Sequence, residues 1–242
     1  MFDRYSRRAR LAPVFLVALP ATMLCATFVP NLAGWHRLWP IVSAGGIFVL
    51  LDQLGRDAGR RLEPTLWRSW NGPPTTRALR HREANPVLLA RRHQQLATLT
   101  GISIPSREDE QRDPTGADNA YEAVTVYLRN HTRDTSTFPL VFIENCHYGF
   151  RRNMLGLRPA GLTTSILSAI GAATGLALAR FHHATLPITG LVGAAALAVL
   201  AGVLWYQIVT PDWVRPPADA YAERLLEAAE HLAPGNNDRR DQ

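Results

Sequence analysis

The chain has 242 residues, a formal net charge of +6, 47% hydrophobic residues and two cysteines, with a mean hydropathy near zero. Cys25 and Cys146 are too few and too far apart for a disulfide framework, a CxxC redox motif or a zinc-ligand spacing. The sequence has no lysine, and its arginines cluster beside apolar segments, so membrane topology accounts for the basicity better than nucleic acid does.

Met1 to Arg10 carries Arg4, Arg7, Arg8 and Arg10, and Leu11 to Leu32 then runs without a charge. A secretory signal has the same outline, but this run is too long for an h-region and no small-x-small cleavage site follows it cleanly. A retained first transmembrane helix is expected, with Pro13 and Pro20 tolerated in lipid. NLAGWHRLW reads as a tight turn with Trp35 and Trp39 as interfacial anchors. Leu38 to Leu51 is the weakest apolar run, ended by Asp52, and is expected to be a second span that returns the chain to its starting side.

Gly55 to Arg158 is polar and punctuated as helices. Asp57 to Leu66 should continue the second span as a stalk. WNGPPTT is a turn, with Thr75 or Thr76 as N-cap of a helix over TRALRHR. Asn85-Pro86 places a cap before a first-turn proline, and Gly101 ends that helix. Ile102 to Asp113 reads as a loop. Asp113-Pro114 opens the next helix, with Ala120, Val124, Tyr127 and Leu128 on one face. Thr137-Phe138-Pro139 opens a last helix that runs to the membrane; PLVFI has no partner strand.

Pro159 to Val209 is the most apolar stretch, broken only at RFHH. Each half can cross the ~30 Å hydrocarbon layer. Gly171 and Gly175 form a GxxxG spacing that lets helices approach closely, within the chain or as a homo-oligomer contact. No ionisable residue lies within any of the four runs, which argues against ion-coupled transport. TPDWVRPP then reads as an interfacial exit with Trp213. Ala218 to Ala233 reads as an amphipathic helix with Tyr221, Leu225, Ala228, Ala229 and Leu232 on one side, and PGNNDRRDQ as a disordered tail.

Two residue groups stand out as candidate sites. Arg60, Arg61, Arg68, Trp70, Arg77, Arg80 and Arg82 concentrate planar forks and aromatic surface near a helix N-terminus, a chemistry suited to an anionic small molecule or phospholipid headgroup; a basic belt answering anionic lipid is the plainer alternative. Glu144, His147, Tyr148, Arg151 and Arg152 fall at a junction between polar and apolar segments. Cys146 and His147 are adjacent, about 100° apart on a helix, so they do not form a catalytic pair. The other histidines lack ligand spacing, no metal or cofactor is expected, and no phosphate loop, GxSxG or HExxH occurs.

The expectation is an all-α membrane protein with four transmembrane helices in two hairpins, 1–54 and 159–209. A helical cytosolic domain, 55–158, is inserted between them, and 210–242 adds a cytosolic amphipathic helix and tail. It should sit in a bacterial-type inner membrane with both termini cytosolic. Its expected role is non-enzymatic: the cytosolic domain binds an anionic ligand or protein partner and couples it to the spans, as a sensor or membrane-perturbing effector. A structural or assembly protein acting through protein contacts is the second reading, and a membrane-bound enzyme the third. Nucleic acid is not expected as a partner.

Overall fold

A computed structural model describes residues 12–28, 46–81, 85–181 and 186–232, and every regular element among them is helical. Outside the described residues lie the N-terminal arginine run, Trp35, Trp39, Arg82, His182-His183, most of the Leu38–Leu51 span and the PGNNDRRDQ tail. The helices are α1 Ala12–Phe28, α2 Gly46–Ser69, α3 Pro74–Leu79, α4 Pro86–Thr100, α5 Arg107–Arg112, α6 Pro114–His131, α7 Pro139–Phe181, α8 Ile188–Gln207, α9 Pro211–Glu227 and α10 Ala229–Leu232. Helices α7 and α8 are long and apolar enough to cross a membrane, and α1 is a shorter apolar helix.

Several boundaries follow from local chemistry. The Asn85 side chain accepts a hydrogen bond from Val87 N at 3.0 Å, and Gly101, at φ 68°, closes α4. Asp113 accepts from Gly116 N at 2.9 Å to start α6. Before α7, one Asp134 carboxylate gathers Ser136 N, the Ser136 hydroxyl and the Thr137 hydroxyl, holding the turn that presents Pro139.

Four expectations are corrected. The Ile102–Asp113 stretch contains a helix, because Ser106 caps Asp109 N at 3.1 Å while its hydroxyl donates to the Asp109 carboxylate at 2.9 Å. Neither Thr75 nor Thr76 caps α3; Pro73 holds that position, and both threonines are buried inside the helix. The buried stripe of α6 is Ala117, Tyr121, Val124 and Leu128, so Ala120 and Tyr127 lie on its flanks. The tail helix, expected from Ala218 after TPDWVRPP as an interfacial exit, starts earlier: α9 begins at Pro211 and carries Pro216 and Pro217 within it. Proline at the first helical position gives up only a donor that would lack an intrahelical partner there.

The chain divides into two compact units, Met1–Glu63 with Gly149–Val214, and Pro64–Tyr148 with Arg215–Gln242. Helices α2, α7 and α9 each contribute residues to both.

The second unit has an ordinary hydrophobic core of Leu79, Leu96, Tyr121, Val124, Leu128, Phe138 and Val141, closed by Leu225 and Leu226 of the tail helix α9. The amphipathic tail therefore completes the core of the inserted segment. Burying a leucine is worth roughly 1.5–3 kcal/mol, so α9 is an integral part of that unit.

The first unit is built differently. Its interior mixes small and large residues: Ala172, Ala194 and Leu191 are 0% exposed, and Ala198, Ser165, Ser168, Val14 and Trp205 are also buried. Its outward positions are large and apolar, with Leu167 62% and Val199 59% exposed, together with Ile166, Ile170, Val192 and Leu200. A core driven by water would put the large side chains inside. Helix α1 packs on α8, and the Thr164 hydroxyl of α7 donates to the Val17 carbonyl of α1 at 2.8 Å. That bond falls beside the Leu16 carbonyl, whose helical donor is removed by Pro20.

Candidate functional site

The arginines of the sequence-derived anion site fall into both units, and each is described within its own. In the second unit, Arg77 is 7% exposed. Its Nη2 donates to Asp219 Oδ1 at 2.7 Å and its Nη1 to the Trp70 carbonyl at 3.4 Å. Arg80 binds both oxygens of Asp118, through Nε at 2.9 Å and Nη2 at 2.6 Å. It also donates to the Asn71 carbonyl. Its guanidinium lies over the turn at Gly72, whose φ of 122° favours glycine. Arg92, on α4, grips both oxygens of Glu223 on α9. Planar forks on carboxylates are the expected use of arginine, and here the carboxylates belong to the chain itself. Arg68 is exposed and donates to its own helix at Pro64 O. Trp70 is buried, and its indole N–H has no hydrogen-bond partner among the described residues.

In the first unit, Arg60 and Arg61 project from α2 and are exposed. On the same helix Glu63 pairs with Arg152 of α7 at 2.5 Å, both side chains being less than one-fifth exposed. One turn along, Gly59 and Gly156 bring the two backbones together: a Cβ on Gly156 would lie 2.5 Å from Gly59 N, and one on Gly55 would lie 2.9 Å from the Leu157 side chain. The helices are antiparallel here, since 55, 59 and 63 meet 157, 156 and 152 in turn. Gly55 and Gly59 are themselves a GxxxG pair, set in a charged stretch. The Gly171–Gly175 pair points inward: Gly171 faces Leu24 and Gly175 faces Leu191.

The junction residues divide likewise. Glu144 and His147 pair side by side on α7 at 3.3 Å, with the His147 side chain 60% exposed. That is a surface pair, not an enclosed acid–base site. Tyr148 stacks on Tyr221 with ring centroids 6.4 Å apart, within the second unit. Arg151, in the first unit, donates to the Trp213 carbonyl at 2.8 Å, and its Cζ lies 4.9 Å from the centre of the Trp213 ring. Arg158 does the same at Tyr206, donating to its carbonyl at 2.9 Å. Arg151, Arg152 and Arg158 thus precede the apolar part of α7, two of them lying over aromatic rings.

A buried polar cluster in the second unit was not anticipated, because its members are scattered in sequence. The Tyr121 hydroxyl donates to Glu110 Oε2 at 2.8 Å, and the same oxygen accepts His81 N at 3.1 Å. His93 Nε2 lies 2.8 Å from the Leu79 carbonyl, and its ring is between His81 and Tyr121, with centroids 5.0 and 6.0 Å away. Burial lowers the His93 pKa below the usual 6.5, against the pull of the Leu79 carbonyl. Burial, then Glu110, pushes the Tyr121 hydroxyl well above its ordinary value. The cluster holds α3, α4, α5 and α6 together. Among the described residues no group of His, Cys, Asp or Glu has the arrangement of a metal site.

The first unit also carries an apolar groove of about 260 Å³. Leu16 and Leu19 of α1, Phe150 and Met154 of α7, and Leu200, Leu204 and Trp205 of α8 line it, with Trp213 at the start of α9. The Trp205 indole lies against the backbone at Gly161, where any Cβ would be 2.2 Å from its ring.

No protein-family model matches the chain, and neither a curated protein nor a solved structure is significantly similar to it.

Proposed function

We propose that the chain is a multi-pass membrane protein in which a lipid-embedded helical bundle is coupled to a cytosolic helical domain, acting by binding and transmission rather than by catalysis. Four spans in two hairpins form the bundle: α1 with the Leu38–Leu51 segment, then the apolar half of α7 with α8. The observation that carries the reading is the outward face of the first unit, where Ile166, Leu167, Ile170, Val192, Val199 and Leu200 all stand more than half exposed on the two long apolar helices, over an interior that includes buried Ala172, Ala194, Ala198, Ser165 and Ser168. Lipid removes the penalty on exposed apolar side chains, and close packing of small residues then supplies the helix contacts. The second unit, with a conventional core, belongs in water. Arg60, Arg61, Arg151, Arg152 and Arg158 form the basic collar on the cytosolic side.

Transmission is supported by continuity. Helices α2, α7 and α9 each have residues in both units, so a change of packing in one unit can pass to the other through a shared element. The ligand is an anionic molecule or a protein. The self-paired state of Arg77, Arg80 and Arg92 favours the protein, as do Val87 and Leu88, which stand 79% and 50% exposed on α4.

Two measurements test this. After alkaline carbonate extraction the protein stays in the membrane fraction; release into the soluble fraction would reject the embedded bundle. In nanodiscs, Leu79→Ala loosens the second unit, and amide exchange should rise in the α7 stretch 161–172. An unchanged exchange rate there, with the second unit visibly loosened, would reject transmission.

A further inference from the structure

We infer that the groove between α1, α7 and α8 is a binding site for one anionic phospholipid of the surrounding bilayer, with an acyl chain in the groove and the phosphate on Arg151. The inference rests on the membrane reading above. The groove follows one face of α8 and its continuation, from Leu197 through Leu200, Leu204 and Ile208. That is a separation of 11 positions, or about 16 Å of helix rise, a length suited to a fatty-acyl chain. Its lining is almost wholly hydrocarbon, and about 260 Å³ admits a slender chain rather than a bulky ring system. Leu200 and Leu204 line it while also being outward-facing, 55% and 44% exposed, so it opens sideways to the layer where lipid lies.

Charge identifies the headgroup. Phe150 and Trp213 line one end, and Arg151 sits on the Trp213 ring. One Nη of Arg151 is used on the Trp213 carbonyl. Its other guanidinium nitrogens have no partner among the described residues, so a fork-like pair of donors is left beside an aromatic ring at the apolar–polar boundary. A phosphodiester carries the complementary charge and oxygen geometry. A free anion would not fill the hydrocarbon groove, and a neutral chain would leave the guanidinium unanswered.

The full-length protein is purified in mild detergent, exposed to equimolar phosphatidylglycerol and phosphatidylcholine, and analysed by native mass spectrometry. The wild type should retain one lipid, favouring phosphatidylglycerol by about fivefold, the ratio that one arginine near a headgroup supports. Ala201→Phe fills the groove and should reduce occupancy at least about tenfold, the effect of losing one well-buried chain contact. Arg151→Gln leaves the groove intact and should retain lipid while the preference falls to about one. Undiminished occupancy in Ala201→Phe, a lipid-free wild type, an unchanged preference in Arg151→Gln, or a dimer whose formation covers the groove would each overturn the proposal. Carbonate-resistant protein that keeps no lipid rejects the groove alone, whereas carbonate release rejects the membrane reading beneath it.

Discussion

Arg77 shows how burial decides what an arginine is for. At 7% exposure its guanidinium reaches Asp219 and the Trp70 carbonyl, tying α3 to the tail helix and to the end of α2. Charged hydrogen bonds are worth roughly 1.5–3 kcal/mol each, and a partner left behind loses that contribution. Arg77→Ala should therefore lower the urea midpoint of the detergent-solubilised protein by the equivalent of about 2 kcal/mol. Asp219 is partly exposed, which keeps the loss below that of a fully buried pair. Arg77→Lys should recover less than half, because an ammonium offers a point charge rather than a fork. A full recovery by lysine would mean that only charge matters there. Titration gives a second expectation. His93 titrates below 6.5 when folded, so the unfolded chain takes up its proton first. Stability is then complete above the unfolded value and declines as pH falls through that window towards the folded value. The melting temperature should drop between about pH 7.5 and pH 5.5, a unit either side of a free histidine, and His93→Gln should flatten that slope. Asp134 acts lower on the scale: the Thr137 and Ser136 hydroxyls hold it at about 2 against 3.8. Its contribution is present above 3.8 and lost as pH falls towards 2.

At the scale of elements, the crossing of α2 and α7 brings two helix backbones into close contact. Gly156 meets the Gly59 backbone with no room for a Cβ, and the Glu63–Arg152 pair locks the next turn. Gly156→Leu must push the helices apart, at a cost of about 1–3 kcal/mol for overpacking. The measurement is the melting temperature in detergent, with Gly193→Leu as control, since a Cβ on Gly193 meets nothing within 4 Å. Equal tolerance of both would show that the crossing is not a structural constraint. The sequence carried clear notice of elements whose ends are chemically marked. Asn85-Pro86 to Gly101 and Asp113-Pro114 stand where caps and prolines put them. It carried little notice of features defined by partners. Nothing local says that Arg77 will face Asp219, 142 positions away, or that Glu110, His81 and Tyr121 will converge. The Gly55–Gly59 spacing is legible but lies in a charged stretch, and charge around a small-residue pair masks its signal for close helix packing. Pro216 and Pro217 misled because two prolines usually stop a helix, yet here they fall early in α9.

For the whole molecule, the orientation we propose follows from where charge meets the apolar helices. Arg151, Arg152 and Arg158 precede the apolar part of α7, against Arg180 alone in its last turn. Arginine near a span stays on the cytosolic side, so the proposed course enters the membrane from the cytosol at Pro159 and returns along α8. Helix α9 starts four residues after α8 ends and places Leu225 and Leu226 in the same core as Leu79 and Tyr121. The tail and the inserted segment must therefore lie on one side, and only an even number of crossings between them permits it. The first hairpin follows the same parity if the N-terminal arginines are also cytosolic. A phosphatase that is active only outside the cytosol should be silent when fused after Gln242 and active when fused after Gly34. The core shared by α6 and α9 makes the first result the more constrained, since an active fusion at Gln242 with the inserted segment still cytosolic would require pulling Leu225 out of it. An inactive fusion at Gly34 together with a silent one at Gln242 would remove the first hairpin and leave α7 and α8 as the spanning pair. Silence at Gly34 with activity at Gln242 would instead invert the orientation and remove the case for a cytosolic helical domain.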